Sequence, residues 1–322
     1  MLKNKKIIIS LLILVIVFTG YFVFHTIQTI PLSLSTEKDS FTLIVLPDTQ
    51  FYSSLYPDIF CAQTNWIVEN KEKLNIMFVS QLGDITNNGG DAPKQWEVAS
   101  RCMGKLDGKV PYGILPGNHD AETPSEKETG FASYTKSFPT SRFSKYSWYK
   151  GNFEDNVNNY EIIETNGEKI MFLNMGIEPS DKALEWAKNV LKQNPNIYTI
   201  FTTHKYLSDT AKTPENMRGY SKDGNTGLDI WNKLISKSCS IKMTLSGHFH
   251  TSTGENMVTS KNICNEDVYQ IMQDYQNNKN GGDGELRIFT FSPKEKKISV
   301  STYSPYTKIL YEDKELVIPL VK

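Results

Sequence analysis

The sequence has no surplus of either charge. Lys and Arg number 35 and Asp and Glu 36, for a formal net charge of −1. A general nucleic-acid binder needs a basic excess to neutralise phosphates, so no nucleic-acid partner is expected. Cysteine is sparse. Four in 322 residues cannot make the dense disulfide scaffold of a small secreted module. The chain also lacks internal repeats and low-complexity tracts. Histidine is scarce enough to be informative, with five copies. Core material is ample: 39% apolar and 11% aromatic residues rule out a disordered chain.

One long uncharged run stands out. Residues 7–24 read IIISLLILVIVFTGYFVF, with Lys3, Lys5 and Lys6 just before them. At 1.5 Å per residue such a helix nearly spans a hydrocarbon core of ~30 Å. Positive charge ahead of the run keeps that end in the cytoplasm. This predicts a cytoplasmic stretch 1–6, a transmembrane signal anchor 7–24, a linker 25–40 and an extracytoplasmic domain 41–322 in the cell membrane. The alternative is secretion after cleavage. A signal peptide has an apolar region of about 7–15 residues and a small-residue cleavage site. The sequence YFVFHTIQTIPLS offers no such site. No Cys near the end of the run supports lipid attachment.

Beyond residue 41 strands and helices alternate, a mixed α/β pattern. FTLIVL (Phe41–Leu46), NIMFVS (Asn75–Ser80), VPYGIL (Val110–Leu115), IYTIFTT (Ile197–Thr203) and IKMTLS (Ile241–Ser246) read as buried strands. Helices are expected up to Lys73, from Pro93 to Leu106, over Asp181–Lys192 with Ser180 as N-cap, and around Ile230–Ser236. NYEIIET and EKIMFLNM form a hairpin around Asn166-Gly167. LRIFTFSPKEKKISVSTYS forms another. Residues 121–159 are an aromatic-rich excursion in which Trp148 and Tyr149 serve packing better than ligand stacking. No boundary divides this region, so one large domain is expected.

Each of the five buried strands leads into a polar cluster. After the first comes Pro47-Asp48-Thr49-Gln50, and after the second Gln81-Leu82-Gly83-Asp84. The third leads to Pro116-Gly117-Asn118-His119-Asp120, the fourth to His204, and the fifth to Gly247-His248-Phe249-His250. Loops at the carboxyl ends of strands line the ligand crevice of α/β sheets. Any one cluster reads as ordinary turn chemistry. Together they collect four of the five histidines.

The ordered set D-x-Q, G-D, G-N-H-D, H and G-H-x-H resembles the calcineurin-like metallophosphoesterases, over roughly Phe41–Ser304. The resemblance implies a four-layer α/β/β/α sandwich of two mixed sheets flanked by helices, with residues 41–322 as the catalytic domain. It also implies two divalent metal ions. Asp84 would bridge them. Asp48, Gln50 and His250 would complete one site, and Asn118, His204 and His248 the other. Ions about 3.5–4 Å apart clamp the attacking and leaving oxygens of a phosphoryl centre. A bridging water would be acidified into the nucleophile. The mixed oxygen and nitrogen ligands suit Mn, Fe, Zn or Ni. Asp48 and Asp84 supply −2 against about +4 from two divalent ions, which makes an anion trap. His119 would face the scissile phosphate as proton donor or charge stabiliser. Asp120 could hold its other ring nitrogen or serve only as a helix cap.

Gln50 departs from the more usual D-x-H. Its amide oxygen is a weaker, harder ligand than imidazole, and it could instead act from outside the coordination shell. The implied substrate is a phosphorylated small molecule or other phosphate ester, mono- or diester. The alternative is a surface protein that binds phospho-ligands with weak or no turnover. No protein partner is evident.

Weaker features complete the reading. Lys205–Gly227, holding Lys205 and Arg218, is either a lid or solvated charge. NNKNGGDG (Asn277–Gly284) is expected to be a turn, or else a substrate-facing loop, and Asp274-Tyr275-Gln276 before it is expected to approach the cleft. Outside the cytoplasm the cysteines can oxidise. Cys61 and Cys102 fall on helices of consecutive βα units, side by side, which leaves Cys239 with Cys264. The second bridge would then brace His248 and His250. The bland alternative is four free thiols.

Overall fold

FTLIVL forms β1 (Phe41–Leu46), buried along its whole length. A strand covered on both faces needs no polar alternation, hence a run broken only by Thr42, whose hydroxyl donates to the Leu74 carbonyl at 2.6 Å. These features come from a computed structural model that describes residues 39–127, 129–165, 167–250 and 253–320. The anchor expected at 7–24 lies outside those residues. Among the described residues no helix is long and apolar enough to cross a membrane.

Two helices follow β1 where one was expected. They are α1 (Gln50–Ser54) and α2 (Pro57–Asn70); Pro57 cannot continue the first but fits the first turn of the second. Next come β2 (Ile76–Gln81), α3 (Pro93–Met103) and the short β3 (Tyr112–Gly113). The aromatic excursion contains α4 (Ala132–Ser137), α5 (Thr140–Phe143) and β4 (Tyr149–Phe153). Trp148 stacks on Tyr146 at 5.2 Å and Phe143 on Tyr149 at 5.7 Å, so these rings do pack. The expected hairpin is β5 (Asn158–Thr165) with β6 (Glu168–Met175). In α6 (Asp181–Gln193) the Ser180 hydroxyl accepts from the Ala183 amide at 3.1 Å, as a cap should.

The rest of the chain runs β7 (Tyr198–Thr203), α7 (Gly227–Lys233), β8 (Ile241–Ser246), β9 (Glu255–Lys261) and β10 (Asp267–Gln273). It ends with α8 (Lys279–Gly282), β11 (Leu286–Ser292), β12 (Lys297–Ser304) and β13 (Ile309–Pro319). The NNKNGGDG segment is a turn, as expected: Asn280, Gly281 and Asp283 take positive φ, so α8 is a kinked turn and not a regular helix.

Among the described residues the strands form two mixed sheets. One runs β13-β12-β11-β1-β2-β3, the other β4-β5-β6-β7-β8-β10-β9. In the first, β1, β2 and β3 are parallel; in the second, β6, β7, β8 and β10 are. The sheets share a core in which Leu43, Val45 and Phe289 meet Ile200, Met243 and Ile271. Phe78 stacks on Phe172 across it at 3.6 Å. Each buried ring contributes roughly 1.5–3 kcal/mol. Leu184 of α6 and Ile230 of α7 cover the other face of the second sheet, against Met171 and Phe201. Helix α2 flanks the first sheet: Trp66 packs on Tyr303 at 5.1 Å, and the Gln63 amide donates to the Glu285 carbonyl at 3.0 Å. The class is α/β, two mixed sheets with flanking helices.

Both expected disulfides are present, Cys61–Cys102 and Cys239–Cys264. The expected consequence of the second is not. Cys239 precedes β8, and Cys264 lies in the turn before β10. Strands β8 and β10 are parallel. The bridge therefore joins their amino-terminal ends, the length of a strand away from His248 and His250.

Candidate metal centre

In both sheets the parallel strands deliver their carboxyl ends to a common edge, where the polar clusters meet. Asp48, Gln50, Asp84, Asn118, Asp120 and His204 are buried there. His119 and His248 are half-buried and His250 is exposed, so the cluster opens on that side. A cleft of about 310 Å³ is lined there by Asp84, Asn118, His119, Asp209, Tyr220 and His248, among others.

The tightest convergence is around His204 Nε2. The His204 Nδ1 proton goes to the Leu82 carbonyl at 2.9 Å, which leaves a lone pair on Nε2. Asp84 Oδ2 lies 3.2 Å from it, and Asn118 Oδ1 and His248 Nδ1 each 3.1 Å. Asp84, His204 and His248 bring ligand atoms within 4.8 Å of one another. Burial, helped by His204, pushes His248 down to about 3, so its imidazole is neutral. A neutral imidazole, a carboxylate and an amide oxygen converge on one ring nitrogen, so a cation must sit among them: a metal ion, or a proton on Nε2. Burial alone would lower the His204 pKa, but Asp84 turns the net shift upward and so favours that proton. This donor set fits a divalent metal of the borderline type.

Asp48, Gln50 and His250 adjoin this group without joining it so closely. The His248 amide donates to the Asp48 carboxylate at 3.3 Å. Burial first, then the charges of Asp274 and Asp84, push the Asp48 carboxyl well above its usual range. Gln50 Oε1 is buried with no hydrogen-bond partner among the described residues. Crowded carboxylates beside an orphaned amide oxygen also fit a cation.

His119 and Asp120 are both here, but not as a pair. The His119 Nδ1 proton goes to the Asn87 carbonyl at 2.8 Å, which leaves Nε2 as the free nitrogen. The Asp120 carboxylate accepts from the backbone amides of Gly117 at 2.9 Å, Ile85 at 3.0 Å and Thr86 at 2.8 Å. It ties the Asp84 loop to the Asn118 loop. Burial and the charge of Asp84 raise its pKa to about 7 despite those bonds. The ring-holding role considered for Asp120 thus belongs to the Asn87 carbonyl.

Lys205 is not solvated charge. It is buried, 2.9 Å from Glu178, whose carboxylate also accepts from the amides of Gly219, Tyr220 and Ser221. This clasp holds Tyr220 edge-on to His248, 5.5 Å between ring centres. Arg218 is exposed and bonds locally to the Lys222 carbonyl. Sequence reasoning did not reach Asn87, Glu178 or Tyr220, which act through contacts distant in the chain or through a carbonyl.

The sequence model of the calcineurin-like phosphoesterases matches residues 41–252. The chain belongs to this calcineurin-like phosphoesterase family. The uncharacterized protein YvnB of Bacillus subtilis (strain 168) is 34% identical over 275 residues, 84% of this chain and 20% of that protein. The chain thus spans about a fifth of that relative's length. Two solved structures share the calcineurin-like fold of this family member. GAP50, the anchor in the inner membrane complex of Plasmodium, matches 88% of this chain and 90% of its own, with TM-score 0.53 and 13% identity. A dimetal phosphatase from Danio rerio matches 87% and 99%, with TM-score 0.51 and 11% identity.

Proposed function

We propose that this chain is a dinuclear metallophosphoesterase that hydrolyses a phosphate ester outside the membrane. The observation that carries the reading is the set of lone pairs facing His204 Nε2. Asn118, His204 and His248 would hold one ion, and Asp48, Gln50 and His250 the other, with Asp84 serving both. When bound, two divalent ions lower the pKa of a water and neutralise charge on the transferred phosphoryl group. His119, held at Nδ1, turns Nε2 to the cleft, and its imidazolium form would give the Nε2 proton to the leaving oxygen.

The surroundings bear on the substrate. A second cleft of about 530 Å³ shares Asn118 and Tyr220 with the first. Its walls include Phe131, Ile177 and Pro179, with Glu126 and Glu154 also present and no Lys or Arg among its described lining residues. Such a groove suits a neutral or cationic organic leaving group and disfavours a polyanion.

The test is metal analysis of the full-length chain together with hydrolysis of an aryl phosphate in Mn²⁺. Two ions and turnover are expected. Asp84→Ala should lose both ions and several orders of magnitude in rate, because one residue serves two sites. Two ions retained by that variant would end the assignment. Phosphate binding by a metal-loaded chain that turns nothing over would favour the surface binding protein.

A further inference from the structure

We infer that Asp274 and Gln276 are positioning residues that aim Gln50 and His250 at the first metal site, which explains how a glutamine serves there. The inference rests on the two-metal reading above. A glutamine ligand has a chemical problem that histidine lacks. Its amide has a donor end and an acceptor end of nearly equal shape, and only the oxygen can bind a cation. Something must engage the NH₂.

Here Gln50 Nε2 donates to Gln276 Oε1. That leaves the buried Gln50 Oε1 with no hydrogen-bond partner among the described residues. The other end of Gln276, Nε2, lies 2.6 Å from His250 Nδ1. Asp274 Oδ2, also buried and without a hydrogen bond among the described residues, lies 3.6 Å from the same Nδ1. Gln276 Nε2 can only donate, so its contact makes Nδ1 an acceptor; an ion on Nε2 needs the ring proton on Nδ1 instead, and Asp274 Oδ2 is the open acceptor that would take it. A carboxylate behind a ligating imidazole fixes the ring and raises its basicity.

The segment is itself held. Asp274 Oδ1 accepts from the Gln276 amide at 2.9 Å. Between them, the Tyr275 hydroxyl donates to Glu255 at 2.6 Å, and Glu255 pairs with the buried Arg287 at 2.9 Å. One three-residue turn at the end of β10 thus reaches two ligands from two different loops.

The test is Mn²⁺ titration of the metal-free full-length chain, followed by calorimetry and by electron paramagnetic resonance, which distinguishes coupled from isolated Mn²⁺. Wild type should bind two ions. Asp274→Asn and Gln276→Ala should bind one ion as wild type does and the other about 10–100-fold more weakly. The coupled signal should give way to an isolated one. Unchanged melting of the metal-free variants shows that the loss is not misfolding. If wild type binds two ions and both variants bind both with unchanged affinity, or lose both equally, the positioning role is wrong. If wild type never binds a second ion, the two-metal reading fails first.

Discussion

Removing the Cys239–Cys264 bridge should lower stability without loosening the metal ligands. The bridge closes a separation of 25 residues, for which the loop-entropy relation gives about 3.5 kcal/mol. The Cys61–Cys102 bridge, at 41, gives about 3.9 kcal/mol. At about 2.1 cal/mol/K of unfolding entropy per residue, a domain of about 280 residues shifts in Tm by roughly 1.7 °C per kcal/mol, so the double change Cys239→Ser, Cys264→Ser should cost about 6 °C. Metal affinity should stay within twofold, because the bridge joins the strand ends away from the ligands. Exposure adds a second arm. Cys239 and Cys264 are both exposed, whereas Cys102 is fully buried. Mild reductant on the folded chain should therefore open the first bridge and spare Cys61–Cys102. Scanning calorimetry reads the stability, Mn²⁺ titration the affinity, and thiol labelling with peptide mapping the order of opening. A tenfold loss of metal affinity in the double variant would refute the placement argument. Four reactive thiols in the denatured, unreduced protein would refute both bridges.

Other expectations follow from the site and the first residues of the chain. His119→Ala should keep both metals yet lower kcat roughly 10²–10⁴-fold. The loss should shrink for aryl phosphates, whose leaving groups need no proton; metal lost together with activity would make His119 a ligand. Glu178→Gln strands a buried Lys205, on the order of 3 kcal/mol, and frees the Tyr220 loop. KM should rise more than kcat falls, with metal content unchanged, whereas an unchanged KM would remove the clasp from substrate binding. Burial alone would raise the Glu178 pKa, but Lys205 and the Gly219 and Tyr220 amides outweigh it, so the net shift is downward. Its stabilisation is thus complete above the ordinary glutamate pKa and fades as pH falls through the lowered one. We also propose that the chain is anchored through residues 7–24. Protease added to intact cells should then reach the domain from about Phe41 while the chain stays in the membrane fraction; release with a new N-terminus near His25 would mean cleavage.

The polar cluster was legible because a metal site would leave a local mark: a ligand-bearing residue type just past a buried strand. Five strand ends carried that mark. The sixth did too, in DVYQIMQ followed by Asp274-Tyr275-Gln276, but Asp267, Gln270 and Gln273 broke the apolar run that identifies a buried strand. Gln270 and Gln273 are nevertheless buried, the former accepting from the Tyr206 hydroxyl at 2.7 Å. The edge strand β9, exposed along one side, gave no signal for the same reason. Lys205 reads as surface charge because its partner Glu178 is 27 residues away. Asp120 sits beside His119 in sequence, yet its partners Ile85 and Thr86 are 35 and 34 residues back. Adjacency suggested a pair, and the backbone of another loop took both oxygens.

The glycines of the two longest motifs show what a turn reading conceals. Gly117 and Gly247 look like ordinary turn residues, and neither has a positive φ. Their constraint is space. A Cβ on Gly117 would lie 2.1 Å from Asp84 Oδ1, and one on Gly247 would lie 2.2 Å from Asp48 Oδ1. Each glycine is the clearance through which a carboxylate from a neighbouring strand end turns into the cluster. The loops also hold each other, two bonds lying within a sheet and one crossing between the sheets. The Thr49 amide donates to the Asp84 carbonyl at 3.1 Å, the Gly247 amide to the His204 carbonyl at 2.9 Å, and His204 Nδ1 to the Leu82 carbonyl at 2.9 Å. Asp48, Gln50, Asp84 and Asn118 come from one sheet, and His204, His248 and His250 from the other. Neither sheet carries the whole proposed ligand set, so face-to-face packing of the two is what assembles the cluster. A core substitution that shifts one sheet against the other by a fraction of an ångström therefore acts on the ligand geometry directly, however far it lies from the cleft.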